Sequence, residues 1–388
     1  MRLLHTSDWH LGRALAGRPR TDEFAAVLDE VVRIARDERI DCLLLSGDVY
    51  EHKVASPEAD RLLFETLVRL RGEGVTVVAI PGNHESPERW RALAPLLAQI
   101  GVRVVTRVLR PEDGGVVDVP SRDGVEAARV ACVPFVPERL FSSAAAALAG
   151  HERWGREYAS GMSGLLAAMT ASFRDDRVNV LMAHLHTDGA RLGGGEAELT
   201  VEGPCAVDPA RLPTKADYVA LGHIHRPQAL DRSPVPARYA GSLLQLDFGE
   251  RDQAKSVVVV EASPGLEARI RVVPLASGRA LRDVRGTLDE LRALAPSVGD
   301  AWLRATVHTG GPLPGIGDRV RAFLPNAIQV RPVFPREHEG PTGPALATLQ
   351  PREQFVAYHR TEHGTEPSAE LLATFAEVYD AVRDEEHG

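Results

Sequence analysis

Met1-Arg2-Leu3-Leu4-His5-Thr6-Ser7-Asp8-Trp9-His10 opens the chain with an apolar run that ends on two side chains able to bind metal or move a proton. The same pattern returns four times. Asp48 follows Cys42-Leu43-Leu44-Leu45-Ser46-Gly47, and Asn83-His84 follows Val75-Thr76-Val77-Val78-Ala79-Ile80-Pro81-Gly82. His184 ends Val178-Asn179-Val180-Leu181-Met182-Ala183, while His223 and His225 close the run Tyr218-Val219-Ala220-Leu221-Gly222. Each run has the length and composition of a buried strand. Between the first runs lie helical periodicities, at Phe24, Val27, Leu28, Val31 and Val32, and at Leu62, Leu63, Leu67 and Leu70. Ser56-Pro57 is good helix-start chemistry, and a third helix is expected over Pro87 to Gln99. Alternating strand and helix implies an α/β fold with parallel strands, helices on both faces, and ligands at the strands' carboxyl ends. Five strands could thus deliver their polar clusters to one edge.

The remainder of the chain reads more coarsely. Residues 110–128 are expected to form a surface hairpin with Gly-rich turns, and the Ala-rich residues 138–174 a helix ahead of the His184 strand. Strands are expected over Ser256 to Glu261 and Ala268 to Val273. A first domain, 1–275, is then followed by a small α+β capping domain, 276–334. That unit contains helices over Leu288 to Leu294 and Asp318 to Leu324, and strands over Ala301 to His308 and Ala327 to Pro332. Residues 335–351, with six Pro or Gly, form a linker to an amphipathic helical tail, 352–388. Helices this short need tertiary or intermolecular packing.

Composition narrows the class. At 388 residues and 44% hydrophobic content the chain can bury ordinary globular cores in two or more units. No run of eighteen apolar residues offers a membrane span, and no charged-then-apolar leader precedes the first strand, so a cytoplasmic protein is expected. Cys42, Cys132 and Cys205 are odd in number and form no CxxC pair, which excludes a zinc ribbon and fits a reducing compartment. The net charge of −9 argues against broad unaided affinity for DNA. It does not exclude DNA as a substrate, because two divalent ions would add four positive charges locally.

Two divalent cations can clamp a phosphate ester and activate water. Asp48 could supply a bridging carboxylate, with Asp8, His10, Asn83, His184, His223 and His225 as the other donors. Mixed nitrogen and oxygen donors suit manganese, iron or zinc better than magnesium or calcium. His84, beside a ligand but not itself needed as one, is placed to protonate a leaving oxygen. Arg13 and Arg226 adjoin these clusters as candidate phosphate contacts, although ion pairing explains them equally well. His5 reads as structural, and His186 as an ordinary strand residue. Gly249-Glu250-Arg251-Asp252-Gln253-Ala254-Lys255-Ser256 nearly spells a phosphate-binding loop. It has Ala at the second Gly and precedes a strand rather than a helix, so no ATP site is expected on this chain.

Asp8-Trp9-His10, Gly47-Asp48, Gly82-Asn83-His84, His184 and Gly222-His223-Ile224-His225, in that order, resemble the calcineurin-like metallophosphoesterase superfamily. Ser7 to Arg13 (SDWHLGR) and Ala240 to Glu250 (AGSLLQLDFGE) further resemble the family of nuclease subunits of bacterial SbcCD complexes. The resemblance implies a sandwich of β-sheets flanked by helices. It implies a manganese-dependent DNA exonuclease and endonuclease for repair and recombination, working with an SbcC-type ATPase that the tail docks. A homodimer is also implied. By the same resemblance Asp8, His10, Asp48 and His225 hold one metal, Asp48, Asn83, His184 and His223 the other, and His84 donates the proton. Some members of the family carry a second histidine near the substrate three residues after the bridging Asp; here Glu51 has that spacing, and His52, one step later, is the substrate-contact candidate. The rival reading is a phosphatase or small-molecule phosphodiesterase on the same scaffold. Against it, Asp48 is followed by Val49-Tyr50-Glu51-His52-Lys53 rather than the x-Val-Asp-Arg-Gly continuation of the protein phosphatases. A catalytically dead scaffold would lack a ligand, and none is missing.

Overall fold

A computed structural model of the chain describes residues 1–137, 151–194, 206–335 and 349–385. The expected helical stretch 138–150, most of the 335–351 linker, Cys205 and the last three residues of the tail lie outside them. The first half alternates as its periodicity requires: β1 (Arg2–Thr6), α1 (Thr21–Asp37), β2 (Cys42–Ser46), α2 (Pro57–Gly72), β3 (Thr76–Ile80), α3 (Pro87–Gln99) and β4 (Val102–Val104). Local chemistry sets the helix starts. Ser56 and Ser86 accept from the backbone N–H of Ala59 and Arg89, and Pro57 and Pro87 open the first turns. β5 (Val116–Pro120), β6 (Ala127–Val133), α4 (His151–Thr170), β7 (Val178–His184), β8 (Tyr218–Gly222), β9 (Gln228–Ala229), β10 (Ala237–Tyr239), β11 (Ser256–Glu261) and β12 (Arg269–Pro274) follow.

These strands form two six-stranded sheets, in the orders β12-β11-β1-β2-β3-β4 and β5-β6-β7-β8-β10-β9. β1 to β4 run parallel in the first sheet, and β6, β7, β8 and β10 in the second. Alternation along each strand divides its side chains between two cores. Leu4, Leu43, Leu45 and Val77 pack with α1, α2 and α3. Leu3, Cys42, Leu44 and Val78 point the other way, against Val130, Cys132, Val180, Met182 and Ala220 of the second sheet. Leu181, Ala183, Val219 and Leu221 then meet α4 residues such as Met162 and Leu166. The layers therefore run helices, sheet, sheet, helix.

Two expectations are corrected here. Helices cover one face of each sheet, not both, because the other face is needed to bury the second sheet. The 110–128 segment does begin a hairpin, with β5 antiparallel to β6 across a turn that holds Gly124, but not a surface one: β6 continues to Val133, pairs parallel with β7 and buries Ala128, Val130 and Cys132.

A third sheet, β13 (Leu281–Gly286), β14 (Trp302–His308) and β15 (Ala327–Val333), is wholly parallel. Its crossovers are α5 (Leu288–Leu294) and α6 (Ile316–Arg321), and it has its own core around Leu291, Leu303, Ala305 and Val320. Thr287 and Glu290 close a reciprocal capping box at the start of α5. Leu281, Trp302 and Ile328 join this sheet to Leu15 and Phe248 of the larger body. A separate second unit carries α7 (Pro351–His363) and α8 (Ala369–Glu385). Gly364 turns between them at φ 69°, and Phe355 stacks on Phe375 with ring centroids 4.3 Å apart.

Candidate metal centre

β1, β2 and β3 of one sheet and β7 and β8 of the other end at the same edge, because the two sheets face each other and β2 lies over β7 and β8. Each end delivers part of one cluster. The donor atoms of Asp8, His10 and His225 lie within 4.8 Å of one another, as do those of His10, Asp48 and His84, and those of Asp48, His184 and His223. Asn83 joins them, with its Oδ1 3.0 Å from His184 Nε2 and 2.9 Å from His223 Nδ1. All eight side chains singled out in the sequence thus meet, with His10 common to the first two groups and Asp48 to the last two.

The backbone is strained to achieve this. Asp8, His10, Asp48 and His223 have φ of 49°, 48°, 50° and 103°, values that non-glycine residues rarely adopt. The chain is closely packed around them. A Cβ on Gly222 would collide with the Ser46 carbonyl, and one on Gly82 with the Asp48 carboxylate.

The imidazoles are aimed from behind. His10 Nδ1 is 2.8 Å from Glu51, His225 Nδ1 3.0 Å from Glu250, and His184 Nδ1 2.8 Å from the Ser46 carbonyl. Donation from these Nδ1 atoms fixes the tautomer and leaves Nε2 to face the cluster, the arrangement typical of metal-ligating histidine. His10 Nε2 is buried with no hydrogen-bond partner, 3.7 Å from Asp48 Oδ2. An orphaned nitrogen at that depth is costly unless a cation completes it. The donor set therefore fits divalent metal. Burial, reinforced by the His184 charge, holds His223 well below the usual histidine range, in the neutral form a ligand needs. Burial opposes the Asp48 charge as well, yet His184, His10 and His84 outweigh it and keep that carboxyl well below its usual range. His184 shows the reciprocal effect: burial alone would lower it, but Asp48 raises it to about 9.

His84 differs from the rest. Its backbone N–H donates to Asp48 Oδ1 at 3.0 Å, its Nδ1 lies 2.8 Å from the Glu51 carbonyl, and its ring meets His10 edge-on at 4.7 Å. It is partly buried, as Asn83 and His223 are. Arg13 pairs with Glu51 at 2.6 Å, which places it behind His10. His52 is exposed and Arg226 partly so. Trp9 is fully buried and donates to Thr6, so it packs the core.

Several supporting residues have no signal of their own in the sequence. Glu51 anchors both His10 and Arg13, and Glu85 accepts from the backbone N–H of Gly82, Val49 and Tyr50. Glu250 holds His225 and is itself held by Lys255 at 2.8 Å. Lys255 also donates to the His225 carbonyl at 2.9 Å, so the lysine of the false phosphate loop is a brace for the cluster. The nearness of Glu51 to Asp48 and of Glu85 to His84, and the place of Glu250 at the end of the Ala240 to Glu250 string, were the signals that could have pointed to them. Glu250→Gln is expected to weaken divalent-metal uptake by roughly 10–100-fold. Calorimetric titration of metal into the metal-free chain reads this, and an unchanged affinity would deny Glu250 its orienting role.

Comparison with known proteins agrees with this geometry. A profile of the calcineurin-like phosphoesterase family matches residues 1–227, and one described as the type 5 capsule protein repressor C-terminal domain matches 277–363. The chain is 32% identical to the SbcD component of nuclease SbcCD from Bacillus subtilis (strain 168) over 403 residues, covering 100% of both chains. It is 33% identical to the Rhodobacter capsulatus SbcD, covering 75% of this chain and 76% of that one. The Escherichia coli (strain K12) SbcD is 28% identical, with 90% and 88% covered. With five strand ends converging on a cluster built for divalent metal, the chain belongs to the calcineurin-like phosphoesterase family, in the branch of the SbcD nucleases.

Proposed function

We propose that this chain is a metal-dependent nuclease that hydrolyses phosphodiester bonds of DNA at a two-metal centre. The observation that carries the reading is the chain of overlapping donor groups, with His10 common to the first two and Asp48 to the last two, and with the buried His10 Nε2 lacking a hydrogen-bond partner. Asp8, His10, Asp48 and His225 would hold one ion, and Asp48, Asn83, His184 and His223 the other. When bound, two such ions neutralise the phosphate and make water a stronger nucleophile at neutral pH. Manganese suits the mixed nitrogen and oxygen donors. His84 holds its proton on Nδ1 against the Glu51 carbonyl, so Nε2 is the atom that exchanges a proton with the leaving oxygen. Arg226 and His52 are the candidate phosphate contacts, while Arg13 acts through Glu51.

The names of the relatives as parts of nuclease SbcCD support a role in DNA end processing, repair and recombination beside an SbcC-type ATPase. The false phosphate loop agrees with a nucleotide site on another chain, since residues 248–250 form a single 3-10 turn and Ser256 begins a strand. The tail is the proposed docking element: Tyr358, Leu371, Val378 and Tyr379 are exposed apolar side chains on α7 and α8. Among the described residues no helix is long and apolar enough to cross a membrane. Cys42 and Cys132 are free thiols, and a cytoplasmic setting is proposed on that chemistry. A homodimer is proposed from the resemblance alone.

Deleting residues 352–388 is expected to leave cleavage of a simple aryl phosphodiester within about twofold, the scale of changes remote from a site, while abolishing capture of the ATPase in a pull-down. Undiminished capture would discard the docking role. The function itself is tested by incubating the chain and manganese with linear duplex DNA, a phosphopeptide and a cyclic nucleotide. Degradation of the DNA is expected; turnover of the phosphopeptide alone would sink the nuclease reading.

A further inference from the structure

A cavity of about 780 Å³ opens beside the metal centre, and Asn83 and Gly82 belong to its wall. Its apolar lining comes from Phe135, Val108 and Leu165, and the exposed Lys53 and Arg107 bring positive charge that offsets the exposed Glu88. That volume is ample for a nucleotide and lies within the range of ordinary ligand pockets. A metal centre that handles only phosphate does not require an apolar chamber next to its ligands.

Phe135 occupies a telling place. β6 pairs parallel with β7, with Val133 opposite Ala183, so Phe135 lies just past the end of β6 as His184 ends β7. The neighbouring ends of β7 and β8 deliver metal-binding side chains, whereas β6 delivers an aromatic ring. That ring lies at 27° to the His223 ring with centroids 6.2 Å apart, and stands edge-on to His184 at the same separation. The Phe135 N–H donates to the Pro81 carbonyl at 3.2 Å, which ties the ring to the segment carrying Asn83. It remains partly exposed to the cavity.

We propose that Phe135 is the platform on which one nucleobase flanking the cleaved phosphodiester stacks, so that the cavity holds a single unpaired nucleotide while its phosphate lies at the metal centre. This rests on the nuclease reading above. Every base presents a π-face, so the device tolerates any sequence, as a general nuclease requires. Lys53 and Arg107, both exposed on the cavity wall, offer positive charge to the neighbouring phosphates of the strand.

The test uses the full chain with manganese and short single strands that carry one phosphodiester among uncleavable methylphosphonate linkages. In one set the nucleotide on either side of that bond is abasic. Phe135→Ala is expected to raise KM for the base-bearing strand about tenfold or more, the scale of one base–aromatic stack. It should leave KM unchanged for the strand made abasic on the stacking side, and Phe135→Tyr should restore the parent KM. If Phe135→Ala shifts the base-bearing and abasic strands equally, or shifts neither, the stacking role is overturned and the nuclease reading stands. A parent enzyme inert on every strand yet active on a phosphopeptide would remove the nuclease reading first, and this proposal with it.

Discussion

His84→Gln is expected to lower kcat for phosphodiester cleavage by about 10²–10⁴-fold, the range for losing a positioned general acid, with bound metal and KM near those of the parent. The geometry separates the two roles. The His84 ring is anchored by its Nδ1 to the Glu51 carbonyl, outside the donor set, at 2.8 Å, and only its backbone N–H meets the Asp48 carboxylate, at 3.0 Å. Glutamine retains polarity and similar reach but cannot shuttle a proton near neutral pH. Kinetics on a duplex substrate, paired with elemental analysis of the purified variant, reads both quantities. Because the His84 donor atom also lies within 4.8 Å of those of His10 and Asp48, loss of one metal equivalent would make His84 a ligand and overturn the assignment.

Asp48→Asn should have the larger effect on metal content. Asp48 is the carboxylate shared by two of the three donor groups, with Oδ2 3.4 Å from His184 Nε2 and 3.7 Å from His10 Nε2. An amide offers one weak oxygen donor and no charge, so a site requiring a bridge between two cations loses its centre. We expect metal affinity to fall beyond the roughly 10–100-fold expected for an outer-shell change such as Glu250→Gln, and cleavage to fall with it. Asparagine is the appropriate replacement because Asp48 has φ 50°, a conformation that asparagine tolerates. Calorimetric metal titration, with a thermal melt in chelator to confirm folding, distinguishes lost binding from lost structure. Retention of two metals at parental affinity would show that Asp48 does not bridge.

Much of the first half is legible because its signals are local. The helix boundaries at Pro57 and Pro87 follow from a Ser-Pro pair at each start. The strand ends at Thr6, Ser46, Ile80, His184 and Gly222 follow from apolar runs broken by polar or glycine residues. β6 is legible in part: Arg129 to Val136 is a strand-like apolar run around a buried Cys132, but Gly114, Gly115 and Gly124 advertise a surface hairpin, and its place in the sheet depends on β7, paired from a segment about fifty residues later. β13 offers no clear pattern, since its sequence Leu281-Arg282-Asp283-Val284-Arg285-Gly286 is half charged. Asp283 and Arg304 pair across β13 and β14 at 2.6 Å, so those charges are satisfied only once the sheet exists.

The ligand set and the anchors behind it divide along the same line. A short polar cluster at the end of an apolar run can be read from neighbouring residues, so the sequence by itself determined which eight side chains to inspect and that an α/β scaffold would carry them. It could not determine which face of each strand meets helices and which meets the other sheet, because both faces are apolar. Tertiary structure alone decided that two sheets bring Asp8 within reach of the His223 backbone, 215 residues away, at 3.0 Å. It likewise decided that Glu250 and Lys255 stand behind His225, and that the strand end at Phe135 contributes a ring instead of a ligand. Those relations are set by packing between distant segments, for which local periodicity carries no information.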